Sequence, residues 1–248
     1  MKTLVSVIRV FVGLLVMALC AVFIGAVLLV LLPSRMARIR VCQLTGKNIA
    51  PFYVWLLGCR TTVHGAERLA SGQPAIYVSN HTSPADIFIA GTYTPYWAVS
   101  VAKKQILYYP FLGLLYLLSG HLWIDRARTA AAAERLRRLG AFVQRNRLSI
   151  FLWPEGTRSR DGRLRPFKRG FVHLALQTGL PVVPFVVQGA QHNWDNGTLR
   201  IHPTDVRVDV LPAVDTSRWS VDDIDSAVEE VHAKFRATLP PEQLGPAA

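Results

Sequence analysis

From Val10 to Leu32 the chain runs for 23 residues without a charged side chain. As an α-helix this stretch is about 34 Å long, enough to cross a bilayer core of about 30 Å. It is too long for the core of a secretory signal and lacks a small-residue cleavage site before the polar part, so it reads as a retained anchor. It also explains a hydrophobic content of 51%, high for a soluble protein. Lys2 and Arg9 precede the run, whereas Arg35, Arg38, Arg40 and Lys47 come after it. That excess assigns the C-terminal part of the chain to the cytoplasmic side of a membrane. A second apolar stretch, Ile49 to Gly58, is too short to span and would pair with the first as a hairpin in one leaflet. Spanning and monotopic arrangements both stand. The organisation expected is a membrane anchor over 1–60 (helix 10–32, a second short helix 49–58), one domain over 61–240 and a loose tail over 241–248.

Beyond the anchor, apolar runs at 75–79, 96–101, 148–153, 182–187 and 206–211 alternate with helical stretches near 84–91, 110–119, 129–147 and 169–178. This alternation predicts a single layered α/β domain, with a central, mostly buried sheet flanked by helices. Leu136, Leu139, Phe142 and Val143 mark the inward face of the third of those helices. Val221, Ile224, Val228, Val231 and Phe235 mark a closing helix whose cap is Ser220 with Asp223.

Two segments at the ends of apolar runs carry chemistry. In Asn80-His81-Thr82-Ser83-Pro84-Ala85-Asp86, a histidine precedes an aspartate by five positions. A neutral imidazole can take a proton from an alcohol, and a carboxylate can fix its tautomer and stabilise the imidazolium. Ser83-Pro84 favours a turn or helix start that folds Asp86 back towards His81. The same residues would also serve as an ordinary helix cap after a strand, and this spacing alone does not separate the two accounts. In Trp153-Pro154-Glu155-Gly156-Thr157-Arg158-Ser159, Gly156 permits a tight turn whose amides face an anion. Thr157 and Ser159 add hydroxyls there, and Arg158 can fork onto phosphate oxygens.

In this order, the two segments resemble the glycerolipid acyltransferase family, specifically its 1-acyl-glycerol-3-phosphate acyltransferases. Gly120 to Arg126 and Leu180 to Phe185 match two further blocks, and Val101 to Lys104 and Pro166 to Gly170 are also similar. The similarity spans about residues 60 to 210, with Trp153 where the family usually has phenylalanine. The resemblance implies that His81 is the general base and Asp86 its orienting partner. It implies that Lys104, Arg126, Arg158 and Arg169 bind an acceptor phosphate in a site shaped by Gly156, Thr157 and Ser159. Glu155 would orient Arg158 or the acceptor, or tie the loop to the catalytic helix. Pro184 falls in a block assigned to substrate binding, though a buried strand accounts for 181–187 equally well. The implied reaction moves an acyl group from a thioester, acyl-CoA or acyl carrier protein, to the sn-2 hydroxyl of 1-acyl-glycerol-3-phosphate, giving phosphatidic acid. Alternative acceptors are glycerol-3-phosphate, a lyso-ornithine lipid or another lysolipid.

The net charge of +12 is concentrated between Arg126 and Arg169, which hold 13 basic and three acidic residues. Such a surface suits anionic lipid headgroups, an acidic acyl carrier protein or the phosphates of coenzyme A, although several arginines on the 129–147 helix read as a solvated face. Partners expected are membrane lipids, a lysophospholipid acceptor and acyl carrier protein, with no nucleic acid. A membrane-tethered nucleic-acid or anionic-lipid binder would leave the ordered segments unexplained, and no aromatic–basic recognition surface is visible. Cys20, Cys42 and Cys59 lack paired metal spacing, and the remaining histidines form no ligand set. No metal or cofactor is therefore expected, and no nucleophile elbow or nucleotide-binding loop is present.

Overall fold

The computed structural model describes residues 2–70, 72–124, 129–195 and 197–245. Helix α1 (Lys2–Val30) contains all but the last two residues of the uncharged run, and after a turn at Pro33 the hydroxyl of Ser34 accepts from the Ala37 N–H to cap α2 (Arg35–Leu56). The second helix is thus 22 residues long rather than the short 49–58 segment expected. Several of its polar residues, which weaken the apolar pattern, make tertiary contacts. Arg35 and Arg38 donate to the carbonyls of Gly120 and Leu118, and Lys47 donates to that of Thr92, at 2.8, 2.6 and 2.9 Å.

The remaining elements alternate as the apolar pattern predicts. In order they are β1 (Cys59–His64), β2 (Ile76–Ser79), α3 (Asp86–Tyr93), β3 (Ala98–Lys103), α4 (Leu112–Leu118), β4 (Leu122–Ile124) and α5 (Thr129–Asn146). They continue with β5 (Ser149–Leu152), α6 (Gly170–Thr178), β6 (Val182–Gln188), β7 (Thr204–Val210) and α7 (Ile224–Thr238). One seven-stranded sheet has the order β1-β7-β6-β2-β5-β3-β4, parallel at every pairing except β6 with β7. Every residue of β2 and β5 is buried, as parallel strands covered on both faces require.

Successive strand residues feed opposite cores. Ile76, Val78, Val182 and Val186 join Leu139, Val143, Phe171 and Phe235 of α5, α6 and α7. Tyr77, Val183, Phe185 and Val187 join Val54, Leu57, Ile89 and Ala90 on the side of α2 and α3. Pro184 sits within β6 as part of a buried strand.

Two expectations change here. Residues 241–245 do not trail loosely, because Gln243 is buried, accepts from the Leu164 amide through its carbonyl at 2.7 Å, and accepts from Gly189 through its side chain at 3.1 Å. Nor does α1 stand apart from the domain. Near its start Ser6 exchanges hydrogen bonds with the Ile201 backbone, Tyr53 donates to the Gly13 carbonyl at 2.7 Å, and near its end Leu28 is fully buried.

Candidate active site

The site forms where β2 and β5, adjacent and parallel, end together. At the end of β2 the Asn80 side chain imitates a peptide group: its amide donates to Val187 O at 2.7 Å and its carbonyl accepts from Val187 N at 2.8 Å. The ladder to β6 therefore continues through a side chain, and the backbone is free to turn at His81.

That turn, just ahead of α3, is held by side chains bonding to its own backbone. The Ser83 hydroxyl accepts from the Ala85 N–H, while the Asp86 carboxylate reaches back to the Ser83 N–H at 2.8 Å. The same oxygen, Asp86 Oδ2, also accepts from the Thr82 N–H at 2.7 Å and from His81 Nδ1 at 2.8 Å. The carboxylate that braces the turn is thus also the one that holds the imidazole. With Nδ1–H assigned to Asp86 by this bond, the basic lone pair of His81 is on Nε2. Asp86 is 1% exposed and the His81 side chain 16%, which seats the carboxylate in the protein and leaves the imidazole at the cleft wall.

The loop after β5 clasps His81 from both sides. Glu155 Oε1 accepts from the His81 N–H at 2.9 Å, and the Ser159 N–H donates to the His81 carbonyl at 2.8 Å. Gly156, at φ 76°, closes the tight turn with its N–H on the Trp153 carbonyl. The Trp153 ring stacks on the imidazole, with centroids 4.6 Å apart and planes 23° from parallel. Burial pushes the Glu155 carboxyl up to about 8, helped by the nearby Asp86 charge and opposed by the His81 N–H and by Arg165. Glu155 thus ties the loop to the turn at His81.

The cleft in front of His81 has a volume of about 550 Å³. Thr157, Arg158 and Arg160 line it from this loop, and Lys103 lines it from the end of β3. Several expected residues lie elsewhere. Lys104 opens the 3₁₀ turn after β3 and its neighbour Lys103 takes the place on the wall. Arg169 pairs with Asp225 at 2.7 Å on an exposed surface, because it starts α6, which packs against α7. Ser159 is fully buried and donates to Asp161 at 2.6 Å, so its hydroxyl supports the loop and not a ligand. Arg126 lies outside the described residues. Of the α5 arginines, Arg137 and Arg138 close on Glu134 and Arg135 lies over Trp123, consistent with a solvated face.

Lys103, Arg160 and Trp194 are cleft residues that sequence reasoning did not single out. Arg160 had a signal: it follows Arg158 by two positions in a non-helical stretch, where alternate residues share a side. Beside the cleft, α1, α2, α3 and α4 line an open apolar cavity of about 190 Å³, and Ile87 and Leu112 line both spaces. His121, on the cavity wall, is structural: burial and the neighbouring Arg35 push it down to about 4, and its Nδ1 accepts from the Ser100 N–H.

Residues 60–188, more than half of the chain, match the family model described as Acyltransferase. The chain belongs to the acyltransferase family. Among its relatives, a 1-acyl-sn-glycerol-3-phosphate acyltransferase of Limnanthes douglasii is 41% identical over 97% of this chain and 85% of its own. The human 1-acyl-sn-glycerol-3-phosphate acyltransferase alpha is 32% identical over 78% of this chain and 71% of its own. The crystal structure of the 1-acyl-sn-glycerophosphate (LPA) acyltransferase PlsC from Thermotoga maritima shares the fold. Its TM-score is 0.73, with 23% identity and 95% of each chain covered. In this acyltransferase the matched region runs from β1 through β6 and so contains both loops at His81.

Proposed function

We propose that this acyltransferase transfers an acyl group from a thioester to the sn-2 hydroxyl of 1-acyl-glycerol-3-phosphate, with His81 as general base. The observation that carries this reading is the His81–Asp86 pair at 2.8 Å, opening on a cleft whose wall presents Arg158, Arg160 and Lys103. Nε2 of His81 takes the hydroxyl proton as the alcohol oxygen attacks the thioester carbonyl. The tetrahedral intermediate then collapses, the C–S bond breaks, and the leaving thiolate recovers the proton from the imidazolium. Asp86 holds the tautomer and stabilises the imidazolium. A thioester is already activated, so no acyl-enzyme is needed. Arg158 and its basic neighbours suit a phosphate monoester, and the apolar cavity alongside suits an acyl chain.

The donor is acyl-CoA or acyl carrier protein, and no metal or cofactor enters the chemistry. The acceptor is membrane-dissolved, and the hairpin of α1 and α2 provides the attachment. α1 holds to the domain through Ser6 and α4 and packs along α2, which favours a helix lying along the membrane over one crossing it. It lies in one leaflet with its apolar outer face, including Phe11, Val22 and Phe23, in lipid. The cytoplasmic leaflet is the one indicated by the basic residues after Pro33.

The test is turnover of a panel of acceptors by the purified full chain, with acyl-CoA and acyl carrier protein thioesters supplied in parallel. The expected result is preference for 1-acyl-glycerol-3-phosphate over glycerol-3-phosphate and over lysolipids without a phosphate monoester. Preference for a lyso-ornithine lipid or another lysolipid overturns the acceptor assignment.

A further inference from the structure

The catalytic domain exposes an apolar patch that acyl transfer itself does not require. From Gln105 to Gly120 the chain has no Asp, Glu, Lys or Arg. Tyr108 and Tyr109 are 74% and 60% exposed, and Phe111, Leu114 and Leu117 are 42%, 51% and 54% exposed. The last three recur every third residue and form one outer stripe on α4. The opposite side of α4, with Leu112, Leu115 and Tyr116, faces the apolar cavity shared with α1, α2 and α3. A surface helix ordinarily turns polar residues outward, and this one is apolar on both sides.

Its start is held in an unusual conformation. Phe111 has φ 61° and ψ −51°, and the Leu112 N–H donates to the Pro110 carbonyl at 2.6 Å, which makes a strained γ-turn. The turn is closed tightly, because a Cβ on Gly113 would come within 2.3 Å of the Leu107 carbonyl oxygen. The fold thus presents an aromatic ring at the surface on a rigid mount.

The patch is continuous with the membrane face proposed for the hairpin. α4 packs along α1, and its C-terminal carbonyls are gripped by Arg35 and Arg38 of α2. On its other flank it reaches the chemistry, since Ile106, Tyr109 and Leu112 line the cleft with His81.

We infer that Tyr108 to Leu117 is a second bilayer-inserting element, carried by the catalytic domain, which sets the mouth of the His81 cleft against the acyl chains of one leaflet. This rests on the reading of α1 as an interfacial helix. The occupant is lipid because tyrosines border a leucine and phenylalanine stripe, placing amphipathic rings at headgroup depth and apolar side chains below them. The exposed Lys103 at the rim adds a contact for anionic headgroups.

Leu117→Trp in the full chain, bound to phosphatidylcholine–phosphatidylglycerol vesicles, gives a direct test. The emission it adds over wild type should be quenched by lipids brominated on their acyl chains, and unquenched added emission overturns the proposal. The double variant Leu114→Ser/Leu117→Ser gives a second test. Its turnover of long-chain lysophosphatidate in vesicles should fall roughly tenfold, given the transfer free energy of two leucine side chains. Its sedimentation with vesicles and its turnover of a short-chain, water-soluble acceptor should stay at wild-type levels. Equal turnover of the long-chain acceptor by variant and wild type overturns the proposal. The underlying readings fail differently: without an interfacial α1 the wild-type chain itself does not sediment with vesicles. With a wrong acceptor, wild type leaves lysophosphatidate unconverted, yet quenching still reports on the patch.

Discussion

The turn from His81 to Asp86 and the stretch from Thr157 to Arg160 line the same cleft, yet they are held very differently. In the first, one carboxylate oxygen accepts three hydrogen bonds, and Glu155 and Ser159 clamp the His81 backbone on both sides. In the second, Thr157 and Arg160 are exposed, while Ser159 between them is buried, with its hydroxyl on Asp161 and its N–H on the His81 carbonyl. On the proposed mechanism, the imidazole that accepts the proton is held in place before substrate arrives, as positional precision demands. On the same reading, the groups that would meet the phosphate lie on the more exposed stretch. Changes in the fixed turn should therefore act on turnover, and changes in the open stretch on acceptor binding.

The largest effect should come from His81→Ala. Loss of a positioned general base should lower kcat roughly 10²- to 10⁴-fold with the fold intact. Asp86→Asn should also cut kcat by imposing the wrong tautomer, and it should lower thermal stability, because Oδ2 caps Thr82 and Ser83 as well. Circular dichroism beside steady-state rates checks both variants. Near-wild-type turnover of folded His81→Ala would sink the mechanism.

Next comes Arg158→Ala, expected to raise the acceptor KM about tenfold and leave the donor KM unchanged, since a charge-assisted contact is worth roughly 1.5–3 kcal/mol. Arg158→Lys should recover little, because it keeps the charge and loses the fork. A shift in the donor KM alone would assign Arg158 to the phosphates of coenzyme A instead, and with it erase the distinction between the two stretches.

Glu155 offers a test of the clamp through pH. Its carboxyl is pushed up from 4.5 to about 8 in the folded protein, chiefly by burial. Between those values the unfolded chain gives up the proton while the folded protein retains it, so this group's contribution to stability declines as pH rises from about 4.5 to about 8. Glu155→Gln keeps a carbonyl oxygen for the His81 N–H and removes the titration. Its melting temperature relative to wild type should climb across that window when both are measured by differential scanning fluorimetry. Parallel profiles would mean that Glu155 is solvated and that the clamp on His81 is loose.

What the chain disclosed by pattern alone obeys the same division between local and long-range physics. β2, β5 and β6 were legible because strands buried on both faces leave unbroken apolar runs, and β7 because Val206, Val208 and Val210 alternate with charged residues. β1 was hidden by Arg60, Thr62 and His64, which point outward from an edge strand, and β4 by its three-residue length. Most of α2 escaped because its arginines bond to the carbonyls of Leu118 and Gly120, some 80 residues away. Within the site, His81 and Asp86 lie close enough in sequence for one turn to join them. Lys103 and Trp194 reach the cleft from β3 and from the segment between β6 and β7, a convergence that only the assembled sheet reveals.

The smallest effect expected, at Arg169, tests that convergence most sharply. Arg169 comes soon after the phosphate-facing loop in sequence, and by resemblance it belongs with Arg158. In space its guanidinium instead meets Asp225 at 2.7 Å, with the two side chains 62% and 74% exposed. An exposed pair of this kind contributes about 0.2–1 kcal/mol or less, because water screens the charges and two long side chains lose freedom. Arg169→Ala should therefore leave both Michaelis constants and kcat at wild-type values and lower the melting temperature by no more than a degree or two. A double variant with Asp225→Ala should be no less stable than the sum of the single changes. An increase in acceptor KM for Arg169→Ala, comparable to that for Arg158→Ala, would instead mean that the start of α6 swings towards the cleft when acceptor binds. The open stretch would then extend ten residues further along the chain than the resting structure shows.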